Sequence, residues 1–224
     1  MDTATLLASL QHADSFFPGG GIAFSWGLET TIGDGMVRGA ESIAAYVGGQ
    51  LEHRWAVCDR VALVAAWRAE DLAEVRRIDA ALEAMSLALE LREGSRRAGA
   101  SLLAVHERLG TADAAAYRAA IRAGQAFGHL PVVQGLLWRR AGLSEEGAQA
   151  ASAHTFCVGL LGAALRLGAI GHIHSQETIL ALRPAIAALI AQPVAPVEEM
   201  YSCTPAAEIA AMRHEVQTAR LFAN

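Results

Sequence analysis

Residues 144–168 read SEEGAQAASAHTFCVGLLGAALRLG, and this stretch narrows the folds open to the chain more than any other. Ser144 stands ahead of Glu145 and Glu146, a capping side chain followed by two first-turn carboxylates, where the unpaired N–H groups and the dipole of a starting helix favour them. Gly168, followed by Gly171, marks the other end. Between these signals Ala148, Ala151, Thr155, Gly159, Gly162 and Ala163 make a small-residue face, while Leu160, Leu161, Leu165 and Leu167 occupy other faces. A helix that is apolar nearly all round belongs in the middle of a bundle. Its run 148–165 carries no charge but includes Gln149, Ser152, His154 and Thr155, which favours a buried core helix over a membrane span.

The rest of the chain supplies that bundle. No sustained run of alternating β-branched residues occurs, and Ala and Leu dominate an apolar fraction of 53%. Helical patterns are expected near 3–13, 22–33, 41–56, 59–69, 71–92, 95–109, 112–126, 131–141, 145–167 and 175–190. Near 191–205, AQPVAPVEEMYSCTP interrupts the pattern with prolines and reads as a linker. Beyond it Thr204 is placed to cap a helix with Pro205 at its first position, and Ile209, Met212, Val216 and Ala219 form a narrow apolar stripe. The expected architecture is an all-α, single-domain helical bundle of about ten helices, residues 1–192, followed by a linker and a hinged amphipathic helix in 193–224.

Several function classes lose support. All 18 Lys/Arg residues are arginine, so a Schiff base, a phosphate-loop lysine and a lysine general base are excluded. A formal charge of -5 argues against a nucleic-acid footprint. Cys58, Cys157 and Cys203 are far apart, form no C-x-x-C and point to a reducing compartment, and the N-terminus lacks the pattern of a secretory signal.

The motif search returns no complete catalytic constellation. None of the histidines has a Glu three residues before it, as a bundle di-metal site would require. His106-Glu107 and His214-Glu215 begin like H-E-x-x-H, yet Gly110 and Thr218 stand where the second histidine belongs. Ser25 misses the G-x-S-x-G elbow at Ala23, and the Gly19–Gly21 run lacks a phosphate-loop lysine. His172 and His174 would share a face in an extended segment, but two local imidazoles fall short of a ligand set, and a polar loop between helices is the plainer reading. Cys203 reads as an inert linker thiol more readily than as a soft-metal ligand. Asp59, Asp71 and Asp113 read as surface residues at helix starts.

The stretch DSFFPGGGIAFSWGLE, residues 14–29, crowds Phe16, Phe17, Phe24 and Trp26 around a glycine-rich turn. Packing explains its hydrophobicity, and a close approach of backbone to a neighbouring surface explains its glycines.

That stretch resembles the N-terminal motif of the UreF family of urease accessory proteins through Asp14, Ser15, Pro18, Gly19, Gly20, Ser25, Gly27, Leu28 and Glu29, with Phe24 displaced from the glycines by Gly21-Ile22-Ala23. GHLPVVQGLLWRRAGL (128–143) is similar to the family's His-x-Pro-Val-Val-x-Gly segment, and LRLGAIGHIHSQETILALRP (165–184), with Arg166 and Gln176, to its Arg-Leu-Gly block. The closing IAAMRHEVQTARLF (209–222) resembles the family's end through Met212, Arg213, His214, Glu215, Gln217, Arg220, Leu221 and Phe222. The resemblance implies an all-helical, non-catalytic, cytoplasmic protein, dimeric in its working complex. It implies the accessory protein UreD (also called UreH), the nickel-carrying GTPase UreG and the urease apoprotein as partners. No tightly bound cofactor is implied, nickel being handled by the complex, and the residues just named become partner-binding candidates. Regulation of the UreG GTPase through an exposed arginine, or an unrelated helical-bundle metal protein, stand as alternatives.

Overall fold

The computed structural model describes residues 2–18, 24–217 and 221–222. Among these residues the regular structure is entirely helical, as the sequence pattern requires. Helix α1 (Thr3–Ala13) is capped by Asp2, whose carboxylate accepts the Thr5 N–H at 2.9 Å. A short α2 (Leu28–Gly33) follows, then α3 (Gly39–Gln50), a π-helical segment (Leu51–Asp59) and α4 (Arg60–Arg68), which run on without a break in helical backbone angles. Helices α5 (Leu72–Met85), α6 (Leu89–Arg108), α7 (Ala114–Arg122), α8 (Leu130–Arg140), α9 (Glu145–Arg166), α10 (His172–Ala191) and α11 (Pro205–His214) complete the order.

The continuous α3–π–α4 rod is the spine of the fold. Its first half sends Ile43, Val47, Leu51 and Trp55 into an apolar cluster shared with α2, α9, α10 and α11. Its second half sends Val61, Ala62 and Ala66 into a second cluster with α5, α6, α7 and α8. A smaller third cluster joins Leu63 and Val64 to Trp138 and Leu143. Spine and α8 approach closely because Gly135 has no side chain: a Cβ there would lie 2.1 Å from the Leu63 carbonyl oxygen.

The π-helical winding explains two departures from the sequence pattern. Two helices were expected to meet near residues 56–59, with Asp59 as a surface residue at a helix start. Instead winding with i to i+5 hydrogen bonds brings residues five apart onto neighbouring rows, and Asp59 is buried beside Arg54, Oδ2 to Nε 3.6 Å. Burial pushes the Asp59 carboxyl above its usual range, and the Arg54 charge opposes that shift. The boundary between α5 and α6 also moves. It was expected beyond residue 92, but the chain breaks at 86–88, where Ser86 Oγ donates to the Leu82 carbonyl and Arg92 Nη1 to the Ser86 carbonyl.

Helix α9 is the central helix its composition demanded, capped by Ser144, whose hydroxyl accepts the Gly147 N–H at 3.1 Å. Trp55 Nε1 donates to Ser152 on α9, and Ser152 to Gln134 on α8, tying spine, α9 and α8 together. Arg60, buried on α4, donates to Gln149 and to the Ile190 and Gln192 carbonyls, closing the C-terminal end of α10. The linker that follows is laid along the π-helical segment. Its Tyr201 and Cys203 N–H groups donate to the Val57 and His53 carbonyls at 3.2 and 3.1 Å, and Met200 is buried in the second cluster.

Candidate functional site

The turn entering α2 is where residues 24–30 meet the C-terminal segment. Phe24, Ser25, Trp26, Gly27 and Leu28 are all buried. Trp26 and Gly27 take φ of 54° and 80°, two successive left-handed residues that reverse the chain. The turn is held from outside: Tyr46 donates its hydroxyl to the Trp26 carbonyl at 2.6 Å, and the Arg54 guanidinium lies 4.8 Å over the Trp26 ring. The close backbone approach implied by the glycine is to the chain's own tail. A Cβ on Gly27 would lie 2.5 Å from the Ala207 carbonyl oxygen of α11.

In the first turn of α2, Glu29 gathers the C-terminal segment. Its Oε2 accepts from His214 Nε2 at 2.9 Å and from the Phe222 N–H at 3.1 Å, and its Oε1 accepts the Leu221 N–H at 2.7 Å. The other ring nitrogen, His214 Nδ1, faces Glu90 on α6 at 3.0 Å. The ring is fully enclosed, with a carboxylate within hydrogen-bond distance of each of its nitrogens. Gln217 Nε2 donates to Thr30 Oγ1 at 3.2 Å, Arg213 pairs with Asp34 at the rim, and the Arg166 guanidinium stacks 4.1 Å over Phe222. Three of the four family-like sequence blocks therefore converge on one cluster.

The remaining named residues fall elsewhere. Asp14, Ser15 and Pro18 are exposed in the turn after α1, where Asp14 Oδ1 accepts the Phe16 N–H at 2.8 Å. Gln176 is exposed on α10, and Met212, Glu215 and Leu221 point outward with Ile209 and Val216. Gly19, Gly20 and Arg220 lie outside the described residues. His172 and His174 open α10 in place of a loop, and two residues apart on a helix they point about 200° from one another, so they share no face. Cys203 is exposed in the linker. Among the described residues no group of three His, Cys, Asp or Glu side chains is arranged to hold a metal ion.

The second family-like block has a separate, internal role. Asp79, fully buried on α5, accepts the N–H groups of Phe127, Gly128 and His129 at 2.6, 2.8 and 3.0 Å, fixing the entry to α8. His129 Nε2 sits 2.8 Å from Glu83 Oε2. Burial works to raise the Glu83 carboxyl, but hydrogen bonds from Arg96 and His129 carry it below the usual range.

Sequence reading missed Glu90 and Asp79. Both signals were present as carboxylates set among apolar positions, Glu90 between Leu89 and Leu91 and Asp79 after Ile78, but neither pattern names the partner.

Fold and site together define an all-helical bundle whose clustered ionisable groups fasten the C-terminal segment to α2 and α6. A UreF family model matches residues 37–183. Proteins named urease accessory protein UreF from Trichodesmium erythraeum (strain IMS101) and Paenarthrobacter aurescens (strain TC1) are 36% and 32% identical to the chain, covering 100% and 99% of it and 98% and 99% of themselves. A third, from Cereibacter sphaeroides (strain ATCC 17029 / ATH 2.4.9), is 32% identical over 98% of this chain and 99% of its own length. The chain belongs to the urease accessory protein UreF family.

Proposed function

We propose that this chain is a non-catalytic scaffold for urease maturation, bridging UreD (UreH) and the GTPase UreG on apo-urease. It works in the cytoplasm as a homodimer, while nickel is carried by the assembled complex. The expected division into a main helical domain, 1–192, and a partner-binding tail, 193–224, belongs to the same proposal.

One observation carries the reading: α11 has two faces of opposite character. Ala207, Ala210, Ala211 and His214 are buried against α2 and α6, whereas Ile209 and Met212, with Val216 in the turn just beyond the helix, are exposed. The outward apolar stripe is unnecessary for the inward packing, and rigid anchoring of the helix lowers the ordering cost of using it as a docking ridge. Arg213 and Glu215 flank it with rim charges.

The test is capture of UreD by the full chain carrying Ile209→Asp and Met212→Asp. Helical content and melting temperature should stay near those of the unsubstituted chain, while UreD capture and urease activation fall at least tenfold. Capture at unsubstituted strength would remove α11 as the docking element.

A further inference from the structure

Helix α1 is attached to the bundle in an unusual way. His12 is its sole fully buried residue. Leu6, Leu7 and Leu10 are exposed, at 41%, 60% and 58%, and Phe16 just beyond the helix is 92% exposed. Its inward contacts on the third cluster come from small residues, Ala8 and Ala13. A helix normally docks by its leucines and exposes its histidine. Here the arrangement is reversed.

The single anchor sits in an aromatic box. The His12 ring stacks on His106 of α6, with centroids 5.1 Å apart and planes at 20°, and it lies 4.9 Å from Phe17 and 5.9 Å from Trp138 of α8. His12 Nδ1 is 2.8 Å from the Ala8 carbonyl, an acceptor only, so that nitrogen carries the proton. The His12 and His106 Nε2 atoms are both buried without a hydrogen-bond partner. A proton added to His12 Nε2 would place an unpaired cation against a second imidazole, which is costly in such surroundings.

Among the described residues no compensating charge is arranged at the box. From α6, Glu107 beside His106 is paired with Arg118 of α7. On α8, Arg139 is directed at the Trp67 and Ala69 carbonyls, and Arg140 at Asp113. At the start of α9, Glu145 is bound to Arg68.

We propose that α1 is an acid-released element, held on the bundle by neutral His12 stacked on neutral His106 and freed with its leucine face as the pH falls toward 5. Burial lowers the affinity of both rings for protons, taking His106 down to about 4, with the His12 charge as the second cause there. The sign follows. Both histidines bind protons less readily when docked than at the ordinary value of 6.5, so docking is fully favoured above 6.5. Below 6.5 His12, which leaves with α1, shifts the balance toward release by up to about tenfold per pH unit until its docked form titrates, and His106 adds the part of its lowering that α1 and His12 supply.

Hydrogen exchange on the full chain, read as protection factors corrected for intrinsic rates, tests this at pH 7.5 and 5.5. Residues 3–13 should lose roughly ten- to hundredfold in protection at pH 5.5, while α4 and α8 lose much less. The double variant His12→Gln/His106→Gln should show the same α1 protection at both pH values, whatever its absolute level. Unchanged protection of α1 in the unsubstituted chain would overturn the proposal. So would equal loss across α1, α4 and α8, or a pH response that survives in the double variant.

Discussion

Glu29 and His214 are 185 positions apart in sequence and 2.9 Å apart in space. Each comes from a block at one end of the chain, and each would be poorly placed alone: a carboxylate and an imidazole, both largely enclosed, with Glu90 completing the group from α6. The contact makes α2, α6 and the C-terminal segment a single structural unit. It also explains why the turn before Glu29 is glycine-bearing, since α11 must press against it to bring His214 within reach.

Replacing His214 with Ala should destabilise the protein by about 3 kcal/mol, because it empties a buried site and leaves two largely enclosed carboxylates without the ring that both contact. Urea denaturation at pH 7 measures this. A loss below about 0.5 kcal/mol would mean that the cluster is solvated and its contacts are replaced by water. Adding Glu29→Gln to His214→Ala should restore part of the loss by removing one of the stranded charges.

Two glycines separate conformational need from mere tolerance. Gly27→Ala puts a side chain on a left-handed residue and a Cβ 2.5 Å from the Ala207 carbonyl oxygen, so a loss of at least about 1–2 kcal/mol is expected, with faster proteolysis within 205–217. Gly162→Ala, in the middle of α9, meets nothing within 4 Å and should be neutral or stabilising by up to about 1 kcal/mol. Thermal melts of the two variants should move in opposite directions or leave Gly162→Ala unmoved.

Much of the fold was legible because helical periodicity is local. Ser144, Glu145 and Gly168 locate α9 without knowledge of any neighbour, and Thr3–Ala13 matches the expected first helix. The π-helical segment was not legible. Leu51–Asp59 differs from an ordinary helix in its hydrogen-bond register, which side-chain periodicity over nine residues does not resolve. At the site, the motifs named Glu29 and His214 but not their contact. Pairing between distant blocks is a tertiary fact, and Glu90 carries no motif. Periodicity likewise found the Ile209–Met212–Val216 stripe and its partner-facing reading, but not the second face of small residues, Ala207, Ala210 and Ala211, which packs against α2 and α6 and has no apolar pattern strong enough to name it.

Asp79 offers a test of the GHLPVVQG block as internal support. Its carboxylate takes three backbone N–H groups at the entry to α8. Asn has one acceptor oxygen and turns an NH2 group toward a donor, so Asp79→Asn should cost about 2 kcal/mol, visible as a lower urea midpoint with an unchanged slope. UreD capture by the folded fraction should be unaffected, since the nest lies apart from α11.

The three cysteines should differ sharply in reactivity, and the difference reads out the linker. Cys58 and Cys157 are buried, and burial pushes both thiols up to about 12, so little thiolate is present near neutral pH. Cys203 is exposed, on a strand of backbone whose N–H is fixed to the His53 carbonyl. In the native protein at pH 7.5 an aromatic disulfide reagent should therefore modify one thiol per chain quickly and the other two only on unfolding. Cys203→Ser should abolish the fast phase and leave the melt unchanged, because the backbone contact does not use the side chain. If UreD docks along α11 as proposed, adding it should slow the fast phase where the complex covers the linker beside Thr204, and leave the rate unchanged where docking is confined to the Ile209–Val216 stripe. Two or three fast thiols in the free chain would show that the π-helical segment carrying Cys58, or the central α9 carrying Cys157, opens to solvent far more readily than its packing implies.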